Sequence, residues 1–259
     1  MQQSCEKYRA LLSGDHRVET RLSIGDIGCL TDQRGDRITF GGVSILVGDS
    51  GADAGYDESV LVKLKTKSQM FSGNTPEVGS CISGEIDVEM LKPAGTLPRQ
   101  ARLGPYVRLT DGVTTSEWIQ KGVYFVDTRE TDVAEHAVEW LHLHGYDAML
   151  RSEQSYPPSR LSWPARDIDV VREIAAAMEV SVDRRTTELM TFGYQIQYPA
   201  DYSCREVLGY IAAMYAGSFI MSDLGELRLV TLYGIPPETN YLIDHAGDAI
   251  TFGGVRIRV

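Results

Sequence analysis

The strongest candidates for chemistry are two histidines on one predicted strand. His142 and His144 alternate in the run EWLHLHGYD at 139–147, and Asp147 follows them. Residues two apart on a strand share a face, so both imidazoles could bind one metal ion. A metal-dependent hydrolase that uses His142, His144 and Asp147 is therefore one hypothesis. Two ligands do not complete a site and the other histidines offer no H-E-x-x-H spacing, so we favour ordinary strand histidines, no metal site and no cofactor.

A second candidate is an alternating row of carboxylates. Glu85, Asp87 and Glu89 share one face of a predicted strand, whereas Ile86, Val88 and Met90 share the other. Alternate residues lie about 6.5–7 Å apart, too far for three to surround one cation bound at about 2.0–2.6 Å. A solvated strand face is one interpretation. We favour a lumen-facing or subunit-facing acidic surface in an oligomeric ring, where like charges would repel a passing polyanion.

Other residues point to shape or contact rather than catalysis. Alternating lysines at 63, 65 and 67 are typical of an edge strand protected against aggregation. The sequence contains no G-x-S-x-G nucleophile motif and no P-loop. The three tryptophans could serve as stacking platforms in a carbohydrate-binding or receptor-binding module, although Trp is more often part of a core: Trp118, Trp140 and Trp163.

Composition narrows the class of protein. The 259 residues carry 25 basic and 36 acidic side chains, a formal charge of −11, which disfavours sequence-specific nucleic-acid binding because that needs clustered Lys and Arg. An apolar fraction of 43% is that of a globular chain. The sequence has no long apolar run, no secretion signal and no C-x-x-C pair, so we expect no membrane segment, synthesis in a cytoplasm and reduced thiols.

The two ends of the chain carry a repeat. LTDQRGDRITFGGVSILV at 30–47 matches LIDHAGDAITFGGVRIRV at 242–259 in twelve of eighteen positions. Each copy predicts a β hairpin in which a Gly-Gly pair shapes the strand. We expect these pairs to be shape determinants: Gly41, Gly42, Gly253 and Gly254.

The middle of the chain predicts five short strands followed by helices. Period-two segments lie at 84–90, 106–110, 116–119, 123–129 and 137–144. Asp167 is a candidate cap for one helix, and Ser203 with Glu206 forms a capping box for a second that ends near Gly217. A hairpin is expected at 218–233, around Asp223-Leu224-Gly225.

These elements predict a mainly β chain with an α+β insert. The expected architecture is an antiparallel β-barrel interrupted by a small domain of two helices and a hairpin. The predicted division is an N-terminal segment at 1–29, a β-barrel domain at 30–150, the α+β domain at 151–235 and a C-terminal β segment at 236–259.

Parts of the sequence resemble a known family. The GEID strand, the PYVRLT strand, the GYDAML segment and the helix-to-hairpin run AGSFIMSDLGELRL, within residues 80–235, resemble the tail-hub proteins of phage tails and prophage tail-like particles, including structural tail proteins of Firmicute prophages. These motifs specify a fold better than a reaction.

The resemblance implies a non-enzymatic virion protein at the distal end of a tail tube. Such hubs form rings, typically trimers, in which two barrel modules per chain meet a hexameric tube. Expected partners are further copies of the chain and other tube, distal-tail or baseplate proteins. The repeated hairpins are compatible with paired modules, although each copy here is one hairpin rather than a barrel.

Overall fold

The structure is a computed structural model of the chain, and it describes residues 5–25, 39–40, 43–44, 54–71, 73, 75, 77–93, 101–133, 139–232, 251–252 and 255–256. The helices are α1 Glu6–Leu12, α2 Asp167–Ala177, α3 Arg184–Leu189, α4 Cys204–Met214 and a 3₁₀ helix at Ala148–Glu153. The strands are β1 Arg17–Gly25, β2 Thr39–Phe40, β3 Val43–Ser44, β4 Ala54–Asp57, β5 Leu61–Lys67, β6 Glu85–Leu91, β7 Arg102–Thr110, β8 Ile119–Gln120, β9 Tyr124–Val133, β10 Glu139–Asp147, β11 Ala165–Arg166, β12 Gln195–Ile196, β13 Gly217–Met221, β14 Leu227–Thr231, β15 Thr251–Phe252 and β16 Val255–Arg256.

One eight-stranded antiparallel sheet dominates the fold. Its strands follow the order β4-β1-β7-β9-β10-β6-β5, and β8 pairs with β7. Leu22 from β1 and Leu61 from β5 belong to the same buried cluster as Val88 and Leu143, so the sheet curves around one core. The prediction of a mainly β, antiparallel fold with some helices is confirmed. Among the described residues no pair joins β4 to β5 to close a barrel.

The alternating pattern of β6 accounts for its place in this sheet. Ile86, Val88 and Met90 are almost fully buried, whereas the residues between them stay half-buried on the outer face. Burying such an apolar side chain stabilises the fold by about 1.5–3 kcal/mol. A one-residue slip of register would place the carboxylates in the core, so the pattern fixes the pairing.

A second core lies under the helices. It joins α2 and α4 to the β13–β14 hairpin, and its largest fully buried side chains include Phe219, Ile174, Leu208 and Met149. This cluster also takes Cys81 from the segment before β6. The residues at 81 and 148–149 lie outside the predicted α+β domain of 151–235, yet they pack into its core.

Several local predictions hold and several are wrong. The capping box is confirmed, because the Ser203 side chain accepts from the Glu206 backbone N–H and the Glu206 carboxylate accepts from the Ser203 backbone N–H. The hairpin turn is also confirmed, with Gly225 at φ 78°. The strand predicted at 116–119 is wrong, since β8 begins only at Ile119.

The predicted cap of α2 and the predicted end of α4 both need correction. Asp167 is the first residue of α2 rather than the residue before it, so it is not the N-cap. It is buried, its Oδ1 accepts from the Ile168 backbone N–H at 2.7 Å, and its Oδ2 accepts from the Tyr215 hydroxyl. After α4 the left-handed position is occupied by Ala216, at φ 47°, rather than by Gly217. Gly217 begins β13, where a Cβ would lie 2.4 Å from the Val230 carbonyl oxygen.

Two helices have no counterpart among the predictions. α1 begins after Cys5, whose sulfur accepts from the Tyr8 backbone N–H. α3 begins after Asp183, whose carboxylate accepts from the Arg185 backbone N–H. Asp183 could have been recognised as an N-cap, since Asp is favoured at this position. The helix that follows has only six residues, too few to show a helical periodicity in the sequence.

The repeated segments are described only in part. β2 pairs with β3 and β15 pairs with β16, both antiparallel and in matching register, so each copy contains a hairpin. The paired strands lie on either side of the Gly-Gly pair, whereas the sequence predicted a strand shaped by that pair, so the position of the hairpin within each repeat needs correction. The glycines Gly41, Gly42, Gly253 and Gly254 lie outside the described residues, and their shape-determining role stays a prediction.

The segment before β6 makes a close backbone contact with the α+β unit. Gly79, at φ 83°, donates its N–H to the Gly217 carbonyl, and Cys81 bridges to Phe219 in parallel. A Cβ on Gly209 of α4 would lie 2.7 Å from the Gly79 carbonyl oxygen. The segment before β6 therefore lies directly against the helix, with glycine on both sides of the contact.

Replacing Gly209 by Ala should test this contact. Helix propensity alone favours Ala by about 0.5–1 kcal/mol. We expect the clash with backbone to outweigh that gain and Gly209→Ala to destabilise the protein by about 1–3 kcal/mol. Chemical unfolding measures the change. Gly14→Ala is the matched control because a Cβ there meets nothing within 4 Å. A stabilised Gly209→Ala protein would contradict the contact.

Candidate functional site

The predicted acidic row lies beside a row of lysines. On the outer face of the sheet, Glu85, Asp87 and Glu89 of β6 stand directly opposite three lysines of β5. The antiparallel register pairs them as follows: Lys67 with Glu85, Lys65 with Asp87, and Lys63 with Glu89. Opposite charges in such pairs stabilise a sheet by about 0.2–1 kcal/mol each.

The histidines of the hydrolase hypothesis flank the same carboxylates. β10 pairs with the other side of β6 and places His144 opposite Asp87 and His142 opposite Glu89. β9 extends the face with Thr128 opposite His144 and Glu130 opposite His142. We call the outer face of β5, β6, β10 and β9 the charge ladder. It brings together residue sets that the sequence presented as separate candidates.

Polar contacts connect neighbouring strands of the charge ladder. His144 Nδ1 lies 2.7 Å from Asp87 Oδ1, and His142 Nε2 lies 3.4 Å from Asp132 Oδ2. Lys67 Nζ lies 3.5 Å from Glu85 Oε2. The middle of the charge ladder is an open, polar concavity rather than an enclosed pocket, and its polar lining comes from Lys63, Asp87, Glu89, Thr128, Glu130, His142 and His144. The arrangement suits ion pairing and hydrogen bonding with a polar surface.

The charge ladder is less acidic than the carboxylate row alone. Its face carries five carboxylates, on Glu85, Asp87, Glu89, Glu130 and Asp132, against three lysines of β5. With neutral histidines, five negative and three positive charges leave a net charge of −2. The spacing of the lysines was visible in the sequence, but which strand pairs with which was not.

Asp147 is separated from the two histidines. It lies on the opposite face of β10, which alternates between half-buried His142 and His144 and buried Leu143 and Asp147. Among the described residues, no group of three or more His, Cys, Asp and Glu is arranged to hold a metal ion. The ligand set proposed for a hydrolase, His142, His144 and Asp147, is therefore not brought together.

Asp147 instead joins the sheet to the α+β core. Its Oδ2 accepts from the Gly84 backbone N–H at 2.7 Å and its Oδ1 from the Met149 N–H at 3.0 Å. Burial raises the pKa of the Asp147 carboxyl to about 7, although these hydrogen bonds and the Arg205 charge act to lower it. Among the Asp and Glu side chains that the structure describes, Asp147 is the one whose pKa is raised. The sequence analysis considered it only as a metal ligand.

Both edges of the charge ladder are open among the described strands. β5 pairs with β6 on one side only. β9 pairs with β10 along its whole length, whereas β7 pairs with it only at Tyr124 and Phe125. Exposed backbone N–H and C=O groups on such edges can pair with another strand. Lysines line the β5 edge and the carboxylates of Glu130 and Asp132 line the β9 edge.

The three tryptophans are half-buried and lie in different places. Trp118 packs between the guanidinium groups of Arg21 and Arg108, at 4.9 and 4.4 Å from its ring centre. Trp140 stands opposite Leu91 in the charge-ladder strands. Trp163 packs against Tyr198 in the α+β unit. They form no common stacking platform, so the predicted platform of Trp118, Trp140 and Trp163 is not assembled.

The described helices are too short and too polar to span a membrane. Cys81 and Cys204 are buried free thiols, and Cys5 is a half-buried one.

Comparison with known proteins gives structural similarities only. No family model matches the chain, and no curated protein matches it. It is similar to the crystal structure of the 43 kDa tail protein of prophage MuSo2 from Shewanella oneidensis, with 14% identity, a TM-score of 0.49, and 92% of this chain and 62% of that one covered.

Two further structures are similar over most of this chain. The tail protein from Neisseria meningitidis MC58 has 11% identity and a TM-score of 0.45, with 92% of this chain and 54% of that one covered. The Francisella PdpA–VgrG complex has 9% identity and a TM-score of 0.40, with 85% and 33% covered. The chain thus spans less than two thirds of the length of these structures.

Proposed function

We propose that this chain is a structural component of a phage or prophage tail tip or baseplate hub. Its copies associate side by side into a ring, a homotrimer, that continues or closes the tail tube. Residues 80–235 carry the resemblance to tail-hub proteins. The protein acts through shape and surface charge, with no catalysis and no cofactor, in a virion tail or tail-like particle beside other tail proteins.

The complementary edges of the charge ladder carry this proposal. A lysine edge on β5 and a carboxylate edge on β9 belong to the same chain, at opposite ends of one four-stranded patch. The β5 edge of one copy can therefore pair with the β9 edge of the next. Such a head-to-tail contact uses two different surfaces, and it forms a ring when the rotation closes.

The outer face of the charge ladder would then line the ring. In that arrangement Glu85, Asp87 and Glu89 face the lumen, which is one of the two placements, lumen-facing or subunit-facing, that the sequence predicts. The surplus of carboxylates over lysines gives weak repulsion of a polyanion, and the absence of a strong basic patch there prevents tight binding of DNA. The curved sheet, whose core β1 and β5 share, supports a tube-type module whose β5 edge stays available to the next copy.

Cysteine cross-linking between the two edges tests the ring. Pairs that combine one position of 63, 65 or 67 with Thr128 or Glu130 should form disulfides between copies when strands pair, because paired strands bring Cα atoms within about 4.4–6.8 Å. We expect at least one pair to give a covalent trimer on oxidation at high protein concentration, and light scattering of the wild-type chain to give the same mass.

Single-cysteine variants are the matched control, because a head-to-tail contact gives the introduced cysteine no introduced partner, and the wild-type chain oxidised in the same way controls for its own thiols, including the half-buried Cys5. A chain that stays monomeric in light scattering at high concentration, and that forms no intermolecular disulfide with any edge pair, would overturn the proposed ring.

A further inference from the structure

Outside the charge ladder, the outer face of the sheet carries two arginines packed against two aromatic side chains. Arg21 of β1 stands directly opposite Tyr106 of β7, and Trp118 immediately precedes β8. Trp118 packs between the guanidinium groups of Arg21 and Arg108, and the Arg21 guanidinium carbon also lies 5.1 Å from the centre of the Tyr106 ring. We call these four half-buried residues the arginine–aromatic layer: Arg21, Tyr106, Arg108 and Trp118.

Small residues beneath this layer hold it flat against the sheet. Gly55 of β4, Ser23 of β1 and Gly104 of β7 are neighbours in the strand register. A Cβ on Gly55 would lie 2.9 Å from Arg21 Cδ, and a Cβ on Gly104 would lie 3.3 Å from Tyr106 Cε2. Ser23 is 7% exposed although it lies on the outer face of β1. The side chains of Arg21 and Tyr106 therefore cover this row of small residues and are held in place by it.

Arg21 has no acceptor for its guanidinium, whereas the two other arginines of this face each have one. Arg108 Nε lies 2.6 Å from Glu19 Oε2, and Arg17 pairs with Glu58. Among the described residues, Arg21 makes no hydrogen bond and no ion pair, and its Nε is buried without a partner. A buried donor without an acceptor costs free energy and calls for an explanation. The two terminal nitrogens of Arg21 are the donors that a ligand can reach.

The carboxylates nearest to Arg21 in the strand register are engaged elsewhere. Asp57 of β4 stands opposite Arg21, but its Oδ1 accepts from the Ser59 backbone N–H at 2.9 Å and from the Ser59 hydroxyl. Glu19, two residues before Arg21 on β1, is held by Arg108. These carboxylates offset the positive charge of the face as a whole, so a polyanion such as a nucleic acid would gain little there. A single carboxylate placed against the terminal nitrogens of Arg21 would gain more.

The chemistry of the layer matches one carboxylate of a protein. A carboxylate accepts two parallel hydrogen bonds from a guanidinium, and such charge-assisted bonds are about twice as strong as neutral ones. Because the aromatic side chains and the glycines hold the Arg21 guanidinium in one orientation, little side-chain entropy is lost on binding. Arg, Trp and Tyr are also the residue types that most often dominate the energy of protein interfaces. An Asp or Glu side chain of a protein partner satisfies both conditions.

We propose that the arginine–aromatic layer is a docking site for an Asp or Glu side chain of another protein. The terminal nitrogens of Arg21 donate to the carboxylate, and Tyr106 and Trp118 contact the aliphatic part of the same side chain. This inference does not depend on the proposed oligomeric ring, because the layer lies on β1, β7 and the residue before β8, whereas the charge ladder lies on β5, β6, β10 and β9.

A nuclear magnetic resonance titration of the full chain with the blocked peptide acetyl-Gly-Glu-Gly-amide tests the inference. We expect the peptide to shift the backbone amide signals of residues 21 and 106 in a saturable way. It should bind about fivefold or more tightly than the same peptide with Gln, which lacks the charge. Arg21→Lys should weaken binding about fivefold or more, because an ammonium group cannot make the two parallel hydrogen bonds. Trp118→Ala should also weaken it, although the charge of the site is unchanged.

Arg17→Lys is the matched control, because it makes the same substitution on the same strand at an exposed arginine that Glu58 already pairs. Its affinity for the Glu peptide should stay within about a factor of two of wild type. The amide spectrum of each variant confirms that it is folded.

Four results would each overturn the inference. The wild-type chain binds no Glu peptide, it binds the Gln peptide equally well, or Arg21→Lys leaves the affinity unchanged. The fourth is that inorganic phosphate or acetate binds the layer as tightly as the Glu peptide, which would indicate a site for a small anion instead of a protein side chain.

Discussion

Reversing the charge of the β9 edge should break the ring. We expect the double variant Glu130→Lys with Asp132→Lys to weaken association of the chain at least a hundredfold, because lysines would then face Lys63, Lys65 and Lys67 of the next copy. Like charges brought together at an interface cost several kcal/mol. Analytical ultracentrifugation over a range of concentrations measures the change.

Salt gives this prediction a second readout. Screening weakens attraction and repulsion alike, so added salt should weaken association of the wild-type chain and strengthen that of the reversed variant. The control is Asp15→Lys with Glu117→Lys, which changes net charge equally at exposed positions away from both edges. If the edge variant and the control associate equally well, the charge ladder is not the contact surface.

Asp147 should make stability depend on pH in an unusual direction. The carboxyl has an ordinary pKa of 3.8 when exposed, and burial raises the pKa to about 7 in the folded chain. Its contribution to stability is therefore fully present below pH 3.8 and is lost as pH rises through 7. The destabilisation caused by Asp147→Ala should shrink by about 2–3 kcal/mol between pH 5 and pH 8.

Urea unfolding of wild type and variant at each pH measures the difference between their free energies of unfolding. The titrations of all other groups occur in both proteins and cancel in this difference. Asp111→Ala is a control of opposite sign. Backbone N–H groups of Val113 and Thr114 hold the pKa of Asp111 below its usual value, so that carboxyl stabilises the fold above its unfolded pKa and less as pH falls. A constant Asp147→Ala penalty across the range would contradict a raised pKa at this site.

Local patterns in the sequence predicted individual elements well. The alternation at 84–90 corresponds to β6, the capping box at Ser203 begins α4, and the turn at Asp223 to Gly225 closes the β13–β14 hairpin. Each of these depends on residues within a few positions of one another. Periodicity and capping act over that range, so the sequence carries the whole signal.

Predictions that depended on distant neighbours were less reliable. The sequence predicts Gly217 as the residue that ends α4. In the structure a side chain at this position would clash with the backbone carbonyl of Val230, thirteen residues later. Asp167 resembled a cap but serves as acceptor for Tyr215. In each case a contact formed across the fold determines the role, and local propensity is only a weak guide against such contacts.

The sequence by itself determined that this protein is mainly β with helices, that Glu85, Asp87 and Glu89 share an outer face, and that His142 and His144 share another. Only the tertiary structure decided that these two faces are one surface, that Lys63, Lys65 and Lys67 stand beside it, and that Asp147 lies behind it. The physical reason is that side-chain alternation is set within a strand, whereas the order and register of strands depend on hydrogen bonds and core packing between segments far apart in the chain.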